Sequence, residues 1–253
     1  MIVVKIHGGL GNQMFQHAYG LALAKRNNTE LWCDLSGYKS GRDLRSLELR
    51  KIFNVKHSAA INCLKYLRHI KENMFQFNPA LKTLGNFHYV SGYFQSYLYY
   101  TEVKEQLRFT DSVHFDYIRE LVKATGADTC IHLRRGDYLT SLKHYVLPAS
   151  YYEKALNAVN AKKVIIFSDD PEYAQGFRDV QYLRGQRTFE VWDSIDAVHD
   201  LAAMSFFKNI VMANSTFSFW AAYLSSARVI CPAKYFSGDV NMDDFYLPDW
   251  QRI

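Results

Sequence analysis

Cysteine is scarce in the 253-residue sequence, and the four present, Cys33, Cys63, Cys130 and Cys231, stand far apart. Zinc sites and thiol redox motifs need close pairs, so the spacing excludes both and leaves reduced core thiols as the expectation. Charge of one sign never gathers: 30 Lys and Arg against 25 Asp and Glu leave a net +5, interleaved along the chain. A nucleic-acid-binding surface would need a clustered basic stripe. No apolar run approaches the length of a membrane span, and Met1-Ile2-Val3-Val4-Lys5-Ile6 reads as a strand instead of a signal peptide. The expectation is a cytoplasmic protein with no nucleic-acid partner and no stable membrane insertion. Asp-x-Asp, His-Glu-x-x-His and Gly-x-Ser-x-Gly are also absent. Their absence removes the usual ligands of metal-dependent sugar transferases, the helical zinc site and the serine-hydrolase elbow, so no metal-binding residues are expected.

What is present is a core: 49% of residues are apolar and 15% aromatic, enough for two linked α/β lobes of about 120 residues each. Residues 2–6 read as a buried strand, followed by the turn His7-Gly8-Gly9-Leu10-Gly11-Asn12-Gln13, a helix from about Met14 to Arg26 and a strand Leu31–Leu35. That β-α-β order is the signature of a parallel sheet. A helical stretch is expected near 59–71, and the aromatic run from Phe87 to Tyr100 reads as core or as a sugar-stacking face. From Asp128 the pattern is regular. Strands are expected at 129–133, 163–167, 209–213 and 228–231, with helices at 150–161, from Pro171, at 194–206 and at 217–225; this alternation predicts a doubly wound sheet. The lobes are expected to meet in the polar stretch 110–125, giving domains 1–120 and 121–253.

In a doubly wound sheet, ligands bind where loops leave the carboxyl ends of strands. Three polar clusters occupy such places. His132-Leu133-Arg134-Arg135-Gly136-Asp137 runs a strand straight into two arginines, whose guanidinium forks match phosphate oxygens; Asp137 can hold one of them, and a surface salt bridge is the plain alternative. Phe167-Ser168-Asp169-Asp170-Pro171 ends a second strand. Asp169 is the better candidate for a nucleotide ligand and Asp170 for a helix cap. Asn214-Ser215-Thr216-Phe217 opens a third helix, as an anion site or as ordinary capping. The N-terminal glycine turn is neither a phosphate loop of the Gly-Lys-Ser type nor a dinucleotide fingerprint, since Met14 stands where a third glycine would be required.

Together, Gly8-Gly9-Leu10-Gly11-Asn12-Gln13-Met14-Phe15-Gln16, His132-x-Arg134-Arg135-x-Asp137, Phe167-Ser168-Asp169-Asp170 and Asn214-Ser215-Thr216-Phe217-Ser218-Phe219-Trp220 resemble the bacterial α-1,2-fucosyltransferases of glycosyltransferase family 11. The likeness to α-1,6- and protein O-fucosyltransferases is more distant. The resemblance implies a GT-B type fold of two facing Rossmann-like lobes, with the acceptor on the N-terminal side and GDP-fucose on the C-terminal side. It implies no cofactor beyond the donor substrate, and an inverting transfer to a β-galactoside on an oligosaccharide or lipid-linked glycan. Arg134, Arg135, Asp137 and Asn12 would be the catalytic residues. His132, Arg134, Arg135, Asp169, Asn214, Ser215, Thr216 and Phe217 would bind the nucleotide, faced by Gly9, Gly11 and Asn12. No residue is assigned as general base: Asp137 is expected to be tied to an arginine, and His144 is near only in sequence.

Overall fold

The computed structural model describes residues 1–41, 45–56, 66–72, 75–109, 113–183 and 187–253. The chain divides into two compact units, Met1–Thr110 with Asn241–Leu247, and Asp111–Val240 with Pro248–Ile253. Strands and helices in chain order are β1 (Ile2–Lys5), α1 (Leu10–Arg26), β2 (Leu31–Asp34), α2 (Ser36–Lys39), β3 (Arg68–Lys71), α3 (Pro79–Lys82), β4 (His88–Ser91), α4 (Val113–Ala124), β5 (Thr129–Leu133), α5 (Ala149–Ala158), β6 (Lys163–Ser168), α6 (Pro171–Leu183), β7 (Thr188–Val191), α7 (Ala197–Ser205), β8 (Asn209–Val211), α8 (Thr216–Tyr223), β9 (Arg228–Cys231) and β10 (Gln251–Arg252).

The first unit is a four-stranded sheet of order β2-β1-β4-β3, parallel throughout. α1 starts at Leu10, four residues before the expected Met14, because Gly9 already takes the extended N-cap conformation. The helix is buried on most of its surface and lies close on the sheet at Gly20, where a Cβ would stand 2.7 Å from Leu31 Cδ1. Its Gln13 is fully buried yet satisfied: Nε2 donates to the Gly8 and Ser46 carbonyls, and Oε1 accepts the Glu48 and Leu49 N–H groups. One side chain thus ties the glycine turn to a distant loop. Within the aromatic run the core reading holds for Phe94, Tyr99 and Tyr100, all fully buried, and Phe94 stacks on Tyr19 of α1 at 3.9 Å. Phe87 and Tyr93 are exposed. The expected helix at 59–71 falls partly outside the described residues; its end, Arg68–Lys71, is strand β3.

The second unit carries a six-stranded parallel sheet of order β10-β9-β8-β5-β6-β7. Beyond β5 the chain builds outward through β6 and β7, then returns to the other side of β5 for β8 and β9. The doubly wound expectation is met, and the point of reversal lies between β5 and β8. β5 is buried at every position, so its alternation divides its neighbours. Ile131 and Leu133 join the core with Tyr151, Tyr152 and Leu156 of α5 and Phe177 of α6. Cys130 and His132 face the opposite side, where Cys130 Sγ meets the Met204 carbonyl of α7 and the His132 ring lies 5.5 Å from that of Phe217 on α8.

Most of the stretch 110–125, expected as a polar junction, is helix: α4 buries Phe115, Ile118 and Val122 at helical spacing and belongs to the second unit. Cys33, Cys130 and Cys231 are buried free thiols. No helix among the described residues is long and apolar enough to cross a membrane.

Removing the Gln13 amide strands the Glu48 and Leu49 N–H donors, while the Gly8 carbonyl keeps the Tyr38 hydroxyl. Gln13→Ala is expected to lower the unfolding free energy by at least about 2 kcal/mol, read by urea denaturation; a loss below about 1 kcal/mol would show that water replaces the amide there.

Candidate active site

The carboxyl ends of β5, β6 and β8 bring the three polar clusters together within the second unit. β5 ends in Leu133, and the chain passes through Arg134 and Arg135 into a 3-10 turn at Gly136–Tyr138. β6 ends one strand away and offers Asp169 and Asp170. Asp169 Oδ1 accepts the Arg135 backbone N–H at 2.8 Å, and its Oδ2 pairs with Arg134 Nη1 at 2.9 Å. Asp170 Oδ2 accepts from Arg135 Nε at 3.2 Å, and Oδ1 caps α6 through the Tyr173 N–H. The expected cap at Asp170 is therefore present, with an arginine contact added. Both oxygens of Asp169 are turned to the arginine segment, so what this residue does within the chain is fix that segment. Arg135 is further held by the Tyr173 ring, 3.6 Å from its Cζ.

Gly136 is required where it stands: a Cβ there would fall 2.3 Å from Asp169 Oδ2. Arg134 also pairs with Asp137 Oδ1 at 2.5 Å and lies over the Tyr138 ring, 5.2 Å from Cζ to the centroid. Tyr138 donates its hydroxyl proton to the Asn214 carbonyl, joining the β5 end to the β8 end. Asn214 is buried, and its amide donates to the Tyr145 and Tyr235 carbonyls at 2.7 Å each. Those bonds set the loop that enters α8. Ser215 caps the helix by accepting the Phe217 N–H, and Ser218 donates to the Ala213 carbonyl. The capping reading of Ser215 is thus present, while Thr216 and Phe217 are half-buried beside it.

Two buried polar atoms in this cluster have no hydrogen-bond partner, Arg134 Nε and His132 Nδ1. Burial, with the Arg134 charge as a lesser cause, pushes His132 down to about 3, so its ring is neutral at ordinary pH. Buried polar groups are nearly always satisfied, and those that are not mark strain or a ligand. His144 stacks on Tyr138 at 4.1 Å, and its Nδ1 is 2.8 Å from Ser141 Oγ. Burial lowers its affinity for a proton.

In the first unit, Gly8 has φ +80°, and a Cβ there would crowd Asn12 Nδ2 at 3.1 Å. Gly9, Gly11 and Asn12 form the entry to α1, and Asn12 Oδ1 accepts from Gln95 Nε2 at 2.9 Å. Among the described residues no three His, Cys, Asp or Glu side chains gather as metal ligands. Tyr138 and Tyr173, which hold the arginines, went unnoticed in the sequence. Tyr173 three residues after the Asp170 cap was the available signal, since that spacing brings its N–H to the cap and its ring over the same turn.

The model of the glycosyl transferase family 11 matches residues 1–253. An α-1,2-colitosyltransferase of Escherichia coli is 28% identical across all of this chain and 99% of its own length. A galactoside 2-α-L-fucosyltransferase Sec1 of Mus musculus is 24% identical across all of this chain and 74% of its own length. In structure, the NodZ α-1,6-fucosyltransferase co-crystallized with GDP superposes with a TM-score of 0.55 at 13% identity, over 88% of this chain and 92% of that one. That likeness, with the two parallel sheets, makes the fold the expected α/β one of GT-B type.

Gly136→Ala forces the Asp169 carboxylate away from Arg134. Transfer by the variant is expected to fall roughly a hundredfold with the melting temperature nearly unchanged, measured by turnover beside thermal denaturation; parental turnover would mean that the Asp169 contact positions nothing.

Proposed function

The chain belongs to the glycosyl transferase family 11, and we propose that it moves L-fucose from GDP-β-L-fucose to the 2-hydroxyl of a terminal galactose, inverting the anomeric centre without a metal. The observation that carries this reading is the braced pair Arg134 and Arg135 at the reversal point of the second sheet, with Arg134 Nε and His132 Nδ1 buried and unpartnered beside it. Such a crevice, lined with guanidinium forks, suits a diphosphate. The Sec1 relative's name supports the fucosyl donor, the galactoside acceptor and the linkage, and the GDP complex of NodZ supports the nucleotide.

As the bond from C1 of the sugar to the phosphate oxygen breaks, negative charge grows on the β-phosphate and positive charge on the ring. Donors fixed at that phosphate then act on the transition state more than on the ground state. Arg134 and Arg135 supply the charge that a cation would otherwise bring, and they are oriented before the ligand arrives. Asp137, whose side chain is 48% exposed, is the carboxylate that a phosphate oxygen would replace on Arg134. The Asn214–Phe217 loop and Asp169 complete the nucleotide side, the first as a wall set by Asn214 and the second through the arginines. The enzyme would work in the cytoplasm on an oligosaccharide or lipid-linked glycan. Colitose in place of fucose is the second reading, favoured by the 28% identity to the colitosyltransferase.

The test is GDP release from GDP-fucose in EDTA, with and without lactose, and the product linkage read by NMR. Lactose-stimulated release giving an α-1,2-fucoside is the expected result. GDP binding without transfer would replace the reading with a binding protein, and preference for the GDP-linked colitose would move the donor. Arg135→Ala should lower turnover by at least about a hundredfold, the scale of one preorganised charge-stabilising donor; turnover within tenfold of the parent, with circular dichroism unchanged, would remove Arg135 from that role.

A further inference from the structure

The chain between the 3-10 turn at Gly136–Tyr138 and α5 folds His144 back onto that turn, where its ring stacks on Tyr138 at 4.1 Å. Arg134 packs on the same ring, with Cζ 5.2 Å from its centre. One tyrosine thus carries both a guanidinium assigned to phosphate and an imidazole, all within the second unit. The backbone of His144 is held as firmly as its ring. It bridges to Phe236 in antiparallel fashion, Ser237 N–H donates to the Lys143 carbonyl at 2.8 Å, and Ser237 Oγ donates to the His144 carbonyl at 3.1 Å. A side chain fixed in this way loses little freedom when it meets a ligand.

Ser141 sets which nitrogen of the ring carries the proton. Its Oγ accepts the Lys143 and His144 N–H groups at 3.3 and 3.4 Å, and lies 2.8 Å from His144 Nδ1. With two donors already on the oxygen, the hydroxyl proton goes to Nδ1, and the proton of the neutral imidazole is left on Nε2. Burial lowers the ring's affinity for a second proton; Asp137 opposes this, and Arg134 and Lys143 add to it. The neutral form is therefore the one present at pH 7. The ring is half-buried, and among the described residues its Nε2 has no hydrogen-bond partner. A fixed N–H donor thus stands near Arg134 with no acceptor of its own, in a site whose guanidiniums suit an anion.

We infer that His144 is a further catalytic residue of the transfer, its Nε2–H donating to an oxygen of the β-phosphate beside Arg134 as that group departs. The inference rests on the transferase reading above. In an inverting transfer the acceptor enters on the face of C1 opposite the leaving oxygen. A group that shares Tyr138 with a phosphate-binding arginine therefore stands with the leaving group and not with the entering hydroxyl. The bond from C1 to the phosphate oxygen breaks and its electron pair stays on that oxygen, while the acceptor oxygen bonds to C1 and its proton passes to water. His144 keeps its own proton and shares it more strongly as the charge on the phosphate grows. Ser141 is a positioning residue: it acts through His144, by keeping Nδ1 the acceptor and Nε2 the donor.

The test is a pair of substitutions in the full chain, His144→Phe and His144→Gln. Phenylalanine keeps a ring on Tyr138 without the donor, whereas the glutamine amide nitrogen reaches close to the place of Nε2. With the sugar nucleotide and acceptor that the parent uses, kcat of H144F is expected to be about thirtyfold lower. Its KM for the sugar nucleotide should change by less than about threefold, because the lost donor acts on the charge of the transition state. H144Q should recover kcat to within about fivefold of the parent. A purely structural role would lower both variants alike. Equal losses in the two, or a loss in H144F below about fivefold, overturn the role. If H144F does not fold, Ser141→Ala decides: a kcat at least about threefold lower supports the role, and a smaller change overturns it. A parent that releases no GDP from GDP-fucose or from the GDP-linked colitose overturns the transferase reading and this role together, whereas an active parent with an equally active H144F overturns this role alone.

Discussion

The Asp169 carboxylate is the constraint on which the second unit's site depends. It reaches from the end of β6 to the end of β5, with one oxygen on the Arg135 backbone and the other on the Arg134 guanidinium. Half-buried ion pairs add little to stability, because desolvation offsets most of their attraction. What this one adds is position. Two adjacent arginines at a strand end would otherwise repel each other and swing freely. Asp169, Asp170 and the Tyr173 ring, which span the junction of β6 and α6, hold them in one arrangement. Gly136 is the accommodation that makes it possible, since any side chain there would occupy the space of the carboxylate.

From that anchor the rest of the site follows by hydrogen bonds. The turn after Arg135 presents Tyr138, whose hydroxyl fixes the Asn214 carbonyl, and Asn214 fixes Tyr145 and Tyr235 in turn. Three strand ends become one rigid rim, and the two atoms left without partners, Arg134 Nε and His132 Nδ1, lie within it. The first unit has a matching device: Glu72 spans the ends of β3 and β4 through two backbone N–H groups, again with a glycine making room and one oxygen left over.

The strand-end clusters were legible in the sequence because β5, β6 and β8 are buried strands, whose apolar runs stop abruptly at Arg134, Ser168 and Asn214. Elements at the margins were not. β3 reads Arg-His-Ile-Lys and pairs only with β4, so an edge position hides it from any hydrophobic pattern. β7 is also an edge, with Thr188 and Glu190 facing out, and β4 lies inside an aromatic run that resembles undifferentiated core. α4 buries Phe115, Ile118 and Val122, but Asp116, Arg119, Glu120 and Lys123 interrupt its apolar residues and give the segment the polar look of a linker. The roles within the site were harder still. Asp169 reads as a ligand because it ends a strand, whereas in the fold both its oxygens face the arginines; the return of Asn241–Leu247 to the first unit carries no local signal at all.

The central claim is that the braced arginines exist to hold the terminal phosphate of a nucleoside diphosphate, and calorimetric titration of the full chain with GDP and with GMP tests it most directly. The account predicts that GDP binds at least about tenfold more tightly than GMP, a gap of roughly 1.4 kcal/mol, and that Asp169→Asn closes most of it by releasing Arg134. Equal affinity for the two nucleotides in the parent chain would contradict it.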